Sequence, residues 1–192
     1  SRGRGDVYKR QSGLEPRQHW VTSADGTRLP YFITGDFSGG PRPTLVGGYG
    51  GFEVSLTPAF SNVRGIAWPE QGNFYVQPNL RGGGEFGPEW HSQVVKTNRH
   101  KVWEDHKAVL EDVVARGYAT PAQIAIRGGS NGGLLTSGAL VRYPECFGAA
   151  VIQVPLTDML RYHTLSAGAS WMAEYGDPDN PCLLYTSPSP RD

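Results

Sequence analysis

An α/β layered domain is predicted by three features of this sequence. Short apolar runs alternate with segments whose apolar residues recur at helical spacing, and the turns between them are rich in glycine. One run, 148–154, is continuously apolar, the type buried on both faces of a parallel sheet. Glycine supplies 26 of the 192 residues, about twice its usual share of roughly 7%. It is not periodic, which excludes collagen; it gathers in three short blocks.

Residues 19–24 and 28–34 are β-favouring stretches around Asp25-Gly26-Thr27, which predicts a hairpin. After a Gly/Pro loop over 36–43, a short strand at 44–46 enters the first block, Gly47-Gly48-Tyr49-Gly50-Gly51. Phe60, Val63 and Ala67 recur at helical spacing within 58–68. A strand at 73–78 leads to the second block, Arg81-Gly82-Gly83-Gly84-Glu85-Phe86-Gly87. From 98 to 116, Val102, His106, Val109, Leu110 and Val113 share one helical face, and Gly117 stops the helix. A strand at 123–127 runs into the third block, Gly128-Gly129-Ser130-Asn131-Gly132-Gly133, and 134–142 reads as helix. All three blocks then lie beyond the carboxyl ends of strands, where sheets of this class carry their chemistry.

Composition narrows the function classes. Lys plus Arg and Asp plus Glu are 18 each, so the formal charge is zero, which argues against a nucleic-acid or anionic-membrane partner. No apolar run approaches the roughly 18 residues of a membrane span. The two ends are expected to be artefacts. Residues 1–11 (SRGRGDVYKRQ) and 182–192 (CLLYTSPSPRD) resemble translated read-through of a sequencing adapter; a natural basic arm and a natural Ser/Pro-rich tail are the alternative. Within 12–181 there remain 13 basic and 16 acidic residues and a lone cysteine, Cys146, which forms neither a disulfide framework nor a zinc site. No metal or cofactor is expected.

The third block carries the strongest chemical signal. Gly128-Gly129-Ser130-Asn131-Gly132 fits G-x-S-x-G between a strand and a helix. A nucleophilic serine needs a tight strand-to-helix turn with small neighbours, and the Asn131 peptide N–H then opens the helix as a donor to a developing oxyanion. A plain Gly/Ser turn without chemistry is the alternative. The second block matches G-x-G-x-x-G through Gly82, Gly84 and Gly87, but Pro88 and Trp90 intervene before the next helix, and Glu104 and Asp105 fall inside that helix, so a dinucleotide site is a weak reading.

Three stretches together resemble the catalytic domain of the prolyl oligopeptidase family: GGYGGF (47–52), NLRGGGEFG (79–87) followed by Trp90-His91, and GGSNGGLL (128–135). Leu156-Thr157-Asp158-Met159-Leu160 and Trp171…Glu174-Tyr175-Gly176 continue the similarity, which covers most of 21–181. The resemblance implies an α/β-hydrolase fold, a three-layer sandwich, here incomplete, without the last strands and without the β-propeller that admits only short peptides. It implies a serine peptidase with Ser130 as nucleophile, and the Asn131 N–H and Tyr49 hydroxyl as oxyanion donors. Trp171, Phe52, Leu156 and Tyr175 would line a pocket for a substrate proline, although an apolar cluster of this kind can equally be core packing. Asn131 following the serine resembles the proline-selective branch rather than the branch that cuts after basic residues. The implied partner is a short peptide, handled by a full-length protein that is monomeric and has no nucleic-acid or membrane partner.

In this fold the order is Ser, then Asp, then His. His19, His91, His100 and His106 precede Ser130, and His163 belongs to a family stretch that is not the catalytic position, so none is assigned as the base. The 192 residues alone are therefore expected to be inactive and poorly soluble. An esterase or lipase on the same fold, or a non-catalytic binding module, remains the alternative.

Overall fold

The computed structural model describes residues 14–56 and 63–180. The adapter-like ends, and residues 58–62 of the expected helix, lie outside them. Six strands form one mixed sheet: β1 (Glu15–Thr22), β2 (Arg28–Gly35), β3 (Thr44–Gly47), β4 (Phe74–Pro78), β5 (Ile124–Gly129) and β6 (Ala149–Gln153), in the order β1-β2-β4-β3-β5-β6. β1, β2 and β4 pair antiparallel, and β4, β3, β5 and β6 pair parallel. The helices are α1 (Val63–Glu70), α2 (Pro88–Ser92), α3 (His100–Ala115), α4 (Asn131–Arg142) and α5 (Met172–Tyr175).

Register explains where the core sits. The direct partners Tyr31↔Pro78, Ile33↔Val76, Val46↔Val76 and Val46↔Ile126 put Tyr31, Ile33, Val46, Val76 and Ile126 on one face. Every one of these five is fully buried. α3 covers this face, and its buried Val102, Val109, Leu110 and Val113 are the residues the helical spacing selects. The Tyr31 hydroxyl donates to Asp112 of α3 at 2.7 Å, tying helix to sheet.

Several expectations are corrected in detail. β1 starts at Glu15 rather than 19, because β2 offers it an eight-residue partner. β5 extends through Gly129, so the third glycine block begins inside a strand. The 148–154 run is not buried on both faces. β6 is the sheet's edge among the described residues; Ala150 and Ile152 share the covered face, whereas Val151 is 43% exposed on the other and Val154 beyond it is 80% exposed.

Buried Arg81, from the turn after β4, braces the β1–β2 turn against α3. Its backbone N–H and guanidinium both bond Asp105 of α3, and the guanidinium also reaches Asp25 at 2.6 Å and Thr27 in the β1–β2 turn. The hydrogen bond from Arg81 holds the Asp25 carboxyl far below the usual carboxylate range.

Candidate functional site

Glycine is needed where the three blocks meet. A Cβ at Gly132 would stand 2.4 Å from the Gly48 carbonyl oxygen, and a Cβ at Gly82 would stand 2.5 Å from that of Gly50. The first block is therefore clamped between the other two, backbone against backbone. The Glu53 N–H donates to the Gly82 carbonyl at 3.0 Å, closing the contact.

Ser130 sits between β5 and α4 with φ 56° and ψ −116°, a left-handed conformation that costs a non-glycine residue of order 1–3 kcal/mol. It is held by its own N–H, which donates to Gln153 of β6 at 3.0 Å, and by its carbonyl, which accepts from Gly133 and Leu134. The residue itself is exposed. Strain at an exposed serine on a strand-to-helix turn is the geometry of an α/β-hydrolase nucleophile.

Asn131 opens α4 and is completely buried. As a first-turn residue its backbone N–H has no intrahelical acceptor. Its side chain makes three bonds: Nδ2 donates to the Tyr49 carbonyl at 2.7 Å, and Oδ1 accepts from the Tyr175 hydroxyl at 2.8 Å and from Arg99. Tyr49 is half-buried, and burial, followed by the Glu174 carboxylate, raises its phenol above the ordinary value. It thus remains a neutral donor across the physiological range.

The four expected pocket residues are distributed as follows. Phe52, at φ 53°, packs edge-on against buried Tyr175 with ring centroids 5.6 Å apart. Trp171 and Leu156 are partly buried against the same core cluster. The His163 Nε2 lies 3.9 Å from Asp179.

Sequence reasoning missed a polar network beside Phe52 and Tyr175. Glu174 is 3% exposed; its Oε1 accepts from Arg99 at 2.8 Å and from the Phe52 N–H at 3.2 Å, and its Oε2 pairs with His91. Glu174 lies inside a stretch that carried the family resemblance, so a signal existed. Arg99 sits just ahead of α3, where no periodicity singles it out.

The prolyl oligopeptidase family model matches residues 58–190. An uncharacterized peptidase of Sinorhizobium fredii is 46% identical over 172 residues, covering 88% of this chain and 24% of that protein. The prolyl endopeptidase of Elizabethkingia meningoseptica is 40% identical over 183 residues, covering 91% of this chain and 26% of its own. Among solved structures, a post-proline cleaving enzyme from Rickettsia typhi matches with a TM-score of 0.88 at 41% identity, over 91% of this chain and 26% of its own. Oligopeptidase B from Trypanosoma brucei matches with a TM-score of 0.85 at 28% identity, again over 91% and 26%. The chain spans about a quarter of the length of these relatives.

Proposed function

This chain belongs to the prolyl oligopeptidase family, and from that premise we propose that the full-length protein is a serine peptidase cleaving short peptides after proline, through an acyl-enzyme on Ser130. The observation that carries the reading is the strained, exposed Ser130 at the end of β5, with the Tyr49 turn hydrogen-bonded to the very next residue.

In the proposed reaction the Ser130 hydroxyl attacks the carbonyl carbon of the scissile bond while a histidine base takes its proton. The carbonyl oxygen becomes an oxyanion that accepts from the Asn131 N–H and the Tyr49 hydroxyl. Collapse breaks the C–N bond, the amine leaves with the proton from the base, and water later hydrolyses the ester. No histidine or carboxylate among the described residues is assigned to the base and its partner.

Proline preference is supported by three things. Phe52 and Tyr175 pack as an apolar aromatic pair, suited to a rigid proline ring. Glu174, the acid beside them, is already paired with Arg99 and His91, so it offers no free charge to a basic substrate side chain. Names such as post-proline cleaving enzyme among the similar structures point the same way.

The test is Ser130→Ala in the purified full-length protein. It should abolish cleavage of a proline anilide reporter and labelling by a fluorophosphonate. Retained cleavage would refute the nucleophile. A wild-type protein that hydrolyses acyl esters but not proline peptides would establish an esterase instead.

A further inference from the structure

We propose that Arg99 is a positioning residue that sets the spacing of the two walls of the oxyanion cleft. The proposal rests on the peptidase reading above. Arg99 is 5% exposed and its guanidinium bonds three separate segments: the Gly50 carbonyl of the first glycine block at 3.3 Å, Asn131 Oδ1 beside the nucleophile, and Glu174 Oε1 at 2.8 Å. Its carbon lies 5.0 Å from the centre of the Tyr175 ring. One planar cation thus ties Tyr49's turn, Ser130's turn and the pocket wall together, and only arginine has the fork to span three acceptors.

Stability does not explain this arrangement well. Burying an ion pair is often neutral against an apolar replacement, and Arg99 carries an added penalty, because its buried Nε has no partner among the described residues. What the cation supplies is geometry. Asn131 Nδ2 holds the Tyr49 carbonyl, and Arg99 holds both Asn131 Oδ1 and the next carbonyl, Gly50. Removing the guanidinium frees the Tyr49 turn to move relative to the Asn131 N–H. Two donors aimed at one developing charge lose their effect when their separation drifts by a fraction of an ångström.

The test uses the full-length protein with Arg99→Met and Arg99→Lys, a proline anilide reporter, a peptidyl-proline aldehyde and a non-covalent proline peptide inhibitor. Arg99→Met should lower kcat on the order of 100-fold with KM within about threefold. Affinity for the aldehyde, whose adduct carries the oxyanion, should fall in proportion, while that for the non-covalent inhibitor holds. Arg99→Lys keeps the charge without the fork and should lose on the order of tenfold in kcat; it serves if the methionine variant does not fold. A folded variant with wild-type kcat, or one whose aldehyde and non-covalent affinities fall together, overturns the proposal. Labelling of wild-type Ser130 by a fluorophosphonate separates the two readings: without it both fall, and with it only the role of Arg99 is at stake.

Discussion

The Asn131 side-chain amide donates to the Tyr49 carbonyl at 2.7 Å, across 82 positions of sequence. The residue that follows the serine therefore sets the backbone that carries the phenol. Two candidate oxyanion donors on different loops are thus coupled by one hydrogen bond.

Tyr49→Phe removes one donor and leaves the ring. In the full-length protein kcat on a proline anilide should fall about 10²-fold with little change in KM, because the lost bond is made chiefly in the transition state. Steady-state kinetics decide it. A variant in which KM rises and kcat holds would mean that the phenol binds the ground state.

Gly132→Ala should be strongly destabilising although it lies in a helix, where alanine is ordinarily favoured by about 1 kcal/mol. Its Cβ would meet the Gly48 oxygen at 2.4 Å, a contact that only backbone movement relieves. Gly129→Ala is the control, since its Cβ would make an ordinary contact at 3.8 Å with the Gln153 oxygen. Urea unfolding should separate the two by about 2 kcal/mol or more; equal midpoints would contradict the clamped arrangement.

Arg81→Met leaves Asp105, which is fully buried, without its cation. Loss of one partner of such a pair costs about 3–5 kcal/mol. The double variant Arg81→Met, Asp105→Leu should recover part of that loss, because no charge is then left stranded. A single variant as stable as wild type would show that the pair is not a brace.

Burial pushes the His106 imidazole down to about 4, below its ordinary 6.5, and its Nδ1 is hydrogen-bonded to the Tyr143 hydroxyl at 2.9 Å. Between these values the unfolded chain binds a proton that the folded chain does not. Stability from this group is therefore complete above pH 6.5 and is lost as pH falls towards 4, by up to about 3 kcal/mol. His106→Asn should flatten that part of the pH profile of the urea midpoint; a parallel decline in both proteins would place the sensitivity elsewhere.

The legible parts of this chain are those with local causes. Val102, Val109, Leu110 and Val113 mark a covered helix face by spacing alone, and Ser130 between an apolar strand and a helix is announced by its glycine neighbours. The extra residues at the start of β1, 15–18, were not legible, because they pair only when β2 is alongside. Nor was the exposure of Val151, since an apolar run does not reveal which of its two faces is covered.

Sequence alone determined the class of the domain, the order of its elements and the serine at its most constrained turn, since periodicity and glycine content are properties of neighbouring residues. Only the tertiary structure decided that buried Arg99, Asn131 and Glu174 form one network with half-buried His91. They lie as much as 83 positions apart, and hydrogen bonds between buried polar groups depend on distances that folding creates.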